Sequence, residues 1–394
     1  MQSVWGDYRL LVAVVGGGLQ GVEAAYLAHK AGWNVRVVDK NSQAPAAGLC
    51  DSFVHVDVTA EGNLPRILNN VDLVIPALED DDALACLNHW CRSAGVPFAF
   101  DPDAYAISSS KLESDKLFNQ MGIPRPSSWP DCSFPVIAKP SEGSGSRGLK
   151  IFYDAGSLKR YFSQSFPPQR WVLQEYLEGS LHSLEIMGMP GNYRALQVTD
   201  LFVDTKHDCQ RVVAPTKLSA QRVVELETLS LQIADALNLH GIMDVEVLLH
   251  QGRFKILEID ARLPSQTPTA VYWSTGQNIV QLLVQLFTDN FTPTPPDIRA
   301  VQGVVYEHIC VSSDRLYVNG EHIMTQGGPL FKCQNFFGAD EALTNYHSKK
   351  DQWVATLIIS GKDRCSALAK RDRIIDAIRK RFSLKKDYDE IAID

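Results

Sequence analysis

The sequence predicts an α/β protein in which a small, doubly wound parallel domain precedes a larger mixed domain. Two observations carry this. Between residues 10 and 100, apolar runs of strand length alternate with segments of helix length, the pattern of right-handed β–α–β crossovers. Beyond residue 180, apolar runs follow one another across short turns, the pattern of antiparallel pairs.

RLLVAVVG reads as a buried strand, VEAAYLAHKAG as a helix ending at Gly32, and NVRVVDK as the next strand. VDLVIPAL is a further strand, followed by a helix through Trp90 and by VPFAF. The stretch from Asp101 is expected as one helix that stops at Gly122, where three prolines open a linker. FPVIAKP, KIFYD and RWVLQEYLEG read as strands, with the flexible loop SEGSGSRG between the first two. HSLEIMGM through ALQVTDLFVDT is antiparallel β structure, and residues 221–239 and 366–382 carry helical periodicity. MDVEVLLHQGRFKILEID is a hairpin turning at His250-Gln251-Gly252.

Composition excludes several classes. Hydrophobic residues are 45% and charged residues 21% of 394, ordinary for a globular protein. A net charge of −8 gives no general attraction to nucleic acid or anionic membrane. The chain has no apolar run long enough to span a bilayer, and MQSVWGDYRL lacks the pattern of a signal peptide. The eight cysteines form no C-x-x-C, which fits reduced thiols in a cytoplasmic protein.

Gly16, Gly18 and Gly21 fit G-x-G-x-x-G, and Asp39 ends the next strand. This is the shape of a dinucleotide fingerprint, but any tight strand-to-helix turn favours glycine, and no hydride-transfer set accompanies it. The hairpin is more informative. Glu246 and Glu258 fall on neighbouring strands, and Glu258 and Asp260, two apart on one strand, share a face. Arg262 stands at the edge. Carboxylates this close require a compensating cation, and hard oxygen donors without histidine or cysteine suit Mg²⁺ with phosphate co-ligands. Lys139 ends a strand just before the glycine–serine loop, whose backbone N–H groups suit phosphate. Lys111 lies in the helix before the linker.

The order Lys111, Lys139-Pro140, glycine loop, Gln174-Glu175-Tyr176-Leu177, Glu246, and Glu258-x-Asp260-x-Arg262 resembles the ATP-grasp superfamily over essentially the whole chain. Within it, GGGLQGVEAAYLAHKAGW, DKNSQA, GIMDVE and EIDARLPSQTPTAVYWSTGQNIVQLL resemble the 3-methylornithine–L-lysine ligases of pyrrolysine biosynthesis. The resemblance implies an ATP-grasp fold behind a Rossmann-like, pre-ATP-grasp domain. The domains would be residues 1–108, a lid subdomain with its linker at 109–185, and a catalytic core at 186–394. It implies ATP and Mg²⁺, two ions, as cofactors, with 3-methyl-D-ornithine and L-lysine as substrates and no nucleic-acid or membrane partner. Lys111, Lys139, Ser144, Gln174, Glu175, Leu177, Glu185 and Asp39 would bind ATP, Glu185 at the ribose. Glu246, Glu258 and Asp260 would hold metal; the superfamily usually has asparagine where Asp260 stands, so this chain carries an extra negative charge. Leu19, Gln20, Glu23, Glu79, Asp244, Arg262, Ser265 and Thr267 would bind amino-acid substrate. Arg262, Glu258 and Lys139 would be catalytic, with Arg262 on the oxyanion and Asp244 or Glu79 as candidate base.

Three rivals remain open from the sequence. They are another ATP-grasp carboxylate–amine ligase or carboxylase (a D-amino-acid dipeptide ligase or a purine-biosynthesis enzyme), a dehydrogenase using the first domain, and a non-catalytic nucleotide sensor.

Overall fold

The computed structural model describes residues 9–60, 62–143, 145–165, 170–288 and 301–385. The leading domain runs β1 (Leu11–Val15), α1 (Leu19–Lys30), β2 (Asn34–Asp39), β3 (Ser52–His55), α2 (Leu64–Ile67), β4 (Leu73–Pro76) and α3 (Asp81–Ala94). The first four strands form a parallel sheet in the order β3-β2-β1-β4. β1 and β4 are buried along almost their whole length, as strands covered on both faces must be. β3 was not anticipated: SFVH has no sustained apolar run, and it sits at the sheet edge where none is needed. VPFAF makes only a parallel bridge, Val74 to Phe98.

The glycine turn is a steric device. Gly16 has φ +105°, a conformation side chains rarely adopt, and a Cβ on Gly21 would run into the Gly16 carbonyl. Gly21→Ala therefore forces β1 and α1 apart. We expect a loss of about 3 kcal/mol, read as a lower urea midpoint; an unchanged midpoint would refute this account of the turn.

The region expected as one helix is two, α4 (Pro102–Ser108) and α5 (Lys111–Met121). The Asp101 and Ser110 side chains each cap the N-terminus that follows them, and a serine accepting from the Glu113 N–H competes with helix continuation. The lid comprises β5 (Val136–Pro140), β6 (Lys150–Phe152), α6 (Ala155–Ser165) and β7 (Trp171–Glu175), a three-stranded antiparallel sheet in the order β6-β5-β7.

The remaining strands form one eleven-stranded sheet. Its first part holds β8 (Ser180–Met189), β9 (Asn192–Ala195), β10 (Thr199–Val203), β11 (Cys209–Ala214), α7 (Ala220–Ala236), β12 (Gly241–His250) and β13 (Arg253–Asp260). After α8 (Thr267–Thr275) and α9 (Ile279–Phe287) come β14 (Gly303–Val311), β15 (Leu316–Val318), α10 (His322–Thr325), β16 (Phe331–Phe336), β17 (Ala339–Thr344), β18 (Trp353–Gly361) and α11 (Arg364–Phe382). β8 lies in this sheet, so the lid sheet itself closes at Glu175.

One apolar core runs from α1 and the parallel sheet into α8, α9 and β14, joining the leading domain to the large sheet. Polar contacts fix the same junction. Glu23 accepts from the Thr269 N–H (2.8 Å) and the Tyr306 hydroxyl (2.7 Å), and Tyr26 donates to Glu341 (2.6 Å) while accepting from the Trp273 indole (2.8 Å). All eight cysteines are free thiols. Among the described residues no helix is long and apolar enough to cross a membrane.

Candidate active site

The hairpin β12–β13 is the centre of the site. Its register pairs Glu246 directly with Glu258 and Asp244 directly with Asp260, with a bulge after Glu246. Directly opposed like charges are unfavourable, and burial adds to this. Asp244 and Glu246 are both pushed up to about 8, Asp244 by desolvation and the neighbouring Glu185, Glu246 by desolvation and Asp244. Desolvation and Glu258 raise Asp260 to about 7, against the pull of Arg262.

Two cavities open on this hairpin. One, about 350 Å³, lies between lid and core and is lined by Lys111, Ile137, Lys139, Gln174 to Gly179, Leu248 and Leu257. The other, about 360 Å³, lies between the leading domain and the core. Its walls are the glycine turn (Gly18, Leu19, Gln20), the end of β4 (Leu78, Glu79), Asp244, Asp260, Arg262, the turn Ser265–Thr267, and Asp208 with His322. Glu246 and Glu258 line both cavities, as do Gly145, Ser146 and Arg147 of the lid loop.

In the lid cavity, Lys111 holds Glu258 (2.7 Å) and the Gly143 carbonyl (2.8 Å) through its ammonium. Its position at the first turn of α5 is fixed by its backbone N–H on the Ser141 carbonyl. Lys139 is half-buried on β5, and desolvation lowers its affinity for a proton against the attraction of Glu258. An anionic ligand between these lysines restores what burial removes. Leu177 lines the cavity beside Ile137, Leu248 and Leu257, an apolar stretch of its wall. Glu175 lines it too, but its carboxylate is engaged by the Ser127 N–H (2.8 Å) and Lys255 (3.4 Å). The Gln174 amide donates to Asp115, tying lid to α5.

In the second cavity the Arg262 guanidinium lies 2.6 Å from both Asp260 and Glu79, and Glu79 accepts from Gln20 (3.0 Å). Asp244 accepts from the Ser183 hydroxyl (2.5 Å). Gln266 sits at φ +72°, ψ −55°, and the Thr267 N–H closes a γ-turn on the Ser265 carbonyl (2.9 Å). Such a turn is strained, and among the described residues the Gln266 side-chain oxygen in it is buried without a partner, while Thr267 lies over Glu185. Strain and an orphaned polar atom in one cavity wall mark a ligand-facing segment.

Three of the expected site residues line neither cavity. Glu185, expected at the ribose, is fully buried on β8 beneath Thr267 in the first turn of α8. Asp39 closes the glycine turn, accepting from the Gly17 N–H (2.5 Å) and the Asn41 N–H (2.6 Å), and lines neither cavity. Glu23 is buried in the domain junction, where loss of solvent raises it to about 7, and it too lines neither cavity. Asp260, expected as a third metal ligand, pairs with Arg262 and lines the second cavity beside Glu246 and Glu258. Ser144 lies outside the described residues. Sequence reasoning missed Asp208, Arg147 and His322. Arg147 lies inside the SEGSGSRG loop, whereas His322 belongs to a four-residue helix with no periodicity to read.

The carboxylates also test the fit of Mg²⁺. Among the described residues no three histidine, cysteine, aspartate or glutamate side chains converge as a metal cage. Glu246 and Glu258 form a directly opposed pair of oxygen donors, Glu258 held by Lys111 and Glu246 pushed up by burial and neighbouring carboxylates, where the two cavities meet. Mg²⁺ is commonly bound by one or two carboxylates plus phosphate and water, so the pair fits.

A lid sheet over a carboxylate hairpin, with two lysines between, defines the chain as an ATP-grasp protein. The family described as ATP-grasp domain matches residues 108–266, and the PylC-like, N-terminal domain matches residues 12–98. The 3-methyl-D-ornithine–L-lysine ligase of Methanosarcina mazei is 33% identical over 386 residues, 97% of this chain and 99% of the relative. That of Methanosarcina barkeri is 35% identical over 376 residues, 94% of this chain and 98% of the relative. The chain belongs to the family of 3-methyl-D-ornithine–L-lysine ligases, and is an ATP-dependent carbon–nitrogen ligase. Biotin carboxylase from Campylobacter jejuni shares the fold at TM-score 0.73 and 15% identity, covering 93% of this chain and 91% of that one. N5-carboxyaminoimidazole ribonucleotide synthetase from Thermotoga maritima does so at 0.64 and 17%, covering 93% and 98%.

Proposed function

We propose that the chain joins the carboxylate of (3R)-3-methyl-D-ornithine to the ε-amine of L-lysine, converting ATP to ADP and phosphate. The observation that carries this reading is the meeting of the two cavities at Glu246 and Glu258. A nucleotide in one and a carboxylate in the other are brought together there, beneath Arg147 of the lid loop.

In this reading ATP lies under the lid, with its base on the apolar wall beside Leu177 and its phosphates between Lys111 and Lys139. Glu246 and Glu258 would hold Mg²⁺, as two ions, supplying charge compensation for the phosphates. The ornithine carboxylate attacks the γ-phosphorus; its oxygen–phosphorus bond forms as the bond to ADP breaks, giving an acyl phosphate. The lysine amine then attacks the acyl carbon and phosphate leaves. Arg262 stabilises the oxyanion of that step. Leu19, Gln20 and Glu79 hold one amino acid from the leading domain, and Ser265 and Thr267 hold the other from the core. Asp244, in the wall of the second cavity beside Glu246, is placed to take the amine proton. Glu79, engaged by Arg262 and Gln20, is less free to do so.

The test is incubation with ATP, Mg²⁺, L-lysine and D-ornithine or its 3-methyl form, with product identified by mass. Isopeptide and ADP in equal amounts are expected. ADP formed only with unrelated amines, or a dipeptide from D-alanine instead, would replace this reading with another ligase of the superfamily.

A further inference from the structure

Outside the machinery assigned above, the second cavity contains a polar cluster that joins three separate parts of the chain. Asp208, in the turn between β10 and β11, accepts from both the backbone N–H (3.1 Å) and the ring Nδ1 (2.7 Å) of His322. The ring is therefore fixed in position and tautomer, with Nδ1 protonated and the Nε2 lone pair free to accept. Arg147 of the lid loop donates its Nε–H to that Nε2 (3.3 Å). Beside it, the Ser146 hydroxyl donates to the His207 carbonyl (2.7 Å), and Gly145 is pressed so close to the His322 ring that a Cβ would collide with it. Gly320, next to this helix, leaves no room for a Cβ against Asp208. The glycines at 145 and 320 are what allow lid loop, turn and α10 to close on one imidazole.

Arg147 lines both cavities, at the place where they meet. Its Nε is held by the core, while the guanidinium's terminal nitrogens extend from that anchored edge. We propose that Asp208 and His322 form a positioning dyad for the lid, holding Arg147 over the junction of the two cavities, where its guanidinium steadies an anionic acyl phosphate and keeps water from it. The proposal rests on the reaction read above, since an acyl phosphate needs protection only if one is made. Arg147 is the group that touches the intermediate; His322 and Asp208 act through it.

The device is sensitive to protonation. The groups facing the His322 ring are Asp208 from the β10–β11 turn, Glu321 from its own segment and Arg147 from the lid; the first two favour its charged form and Arg147 opposes it. The hydrogen bond to Asp208 leaves the imidazole more basic than usual. Once protonated, Nε2 can no longer accept, and two cations stand 3.3 Å apart. The dyad therefore holds Arg147 above the titration of His322 and releases it below.

The experiment has two arms. First, hydrogen exchange of the amides of residues 145–149 is measured with ADP and Mg²⁺ between pH 5.5 and 8.5. Wild type should show protection that falls with acid beyond the intrinsic pH dependence of exchange. His322→Gln, whose amide oxygen accepts from Arg147 but does not titrate, should keep protection at both ends. His322→Ala should lose it throughout. Second, ADP released per isopeptide is measured over the same range. Wild type should be tightly coupled at high pH and several-fold uncoupled at low pH; Arg147→Ala should be uncoupled at every pH, and His322→Gln coupled at every pH. Thermal melts report which variants fold, and His322→Gln and Arg147→Ala decide the matter if His322→Ala does not. Loop protection and coupling in His322→Ala and Arg147→Ala that match wild type across the range would overturn the proposal. Absence of isopeptide from wild type, with the exchange pattern as expected, would overturn the substrate assignment and leave the dyad standing.

Discussion

Glu258→Gln should abolish turnover while leaving the chain folded. Glu258 is the one carboxylate that touches Lys111, faces Glu246 across the hairpin and lines both cavities. An amide in its place keeps the shape but removes the charge that a metal ion and the Lys111 ammonium both require. Loss of a preorganised charge at a phosphoryl-transfer site typically costs 10²–10³-fold or more in kcat, about 3–4 kcal/mol, and loss of a metal ligand adds to this. The measurement is isopeptide formation under saturating ATP and Mg²⁺, alongside a thermal melt. Because the substitution relieves repulsion with Glu246 but weakens the ion pair with Lys111, the melting temperature should change by only a few degrees. A variant retaining a tenth of wild-type turnover would remove Glu258 from the catalytic set.

Arg262→Ala should produce the largest change in stability, and one that depends on pH. The guanidinium is nearly buried and holds both Asp260 and Glu79 at 2.6 Å. Removing one partner of a buried ion pair leaves an uncompensated charge and typically costs 3–5 kcal/mol. Asp260 already binds its proton more tightly than an ordinary carboxyl, and without Arg262 it does so more strongly still. A carboxyl whose folded pKa is raised costs stability progressively as pH climbs from its unfolded to its folded pKa, so a further rise in the variant extends that loss to higher pH than in wild type. The deficit of Arg262→Ala relative to wild type should therefore be smallest near pH 6 and grow toward pH 9 in urea unfolding. Arg262→Lys, which keeps a charge but loses the planar fork, should recover stability more than activity. A deficit independent of pH would show that Asp260 is not the group the arginine compensates.

The hairpin was legible in the sequence because every constraint on it is local. Gln251-Gly252 set the turn, alternation set the faces, and spacing brought Glu246 opposite Glu258. The parallel strands of the leading domain were legible for the same reason. The fates of Glu185, Asp39 and Glu23 were not. Each lies in a segment that borders the site, but whether its carboxylate meets ligand or protein depends on which distant element covers it: Thr267 over Glu185, the glycine turn against Asp39, Thr269 and Tyr306 around Glu23. Glu23 and Tyr306 are 283 residues apart, a pairing no periodicity encodes. The Asp208–His322–Arg147 cluster was hidden in the same way, since its three members come from a turn, a four-residue helix and a loop.

The two ends of the second cavity belong to different domains. Asp244, Glu246, Glu258 and Asp260 sit on paired strands whose register no insertion can shift without turning the side chains over. Leu19 and Gln20 sit instead in the first turn of α1, and Leu78 and Glu79 in the segment after β4, at the carboxyl ends of a parallel sheet where segments vary without disturbing the strands. Selection for a different amine or acid partner therefore has a place to act that leaves phosphoryl transfer untouched. A lineage built on this scaffold would diversify its substrates through the turns of the leading domain, while the hairpin stayed fixed.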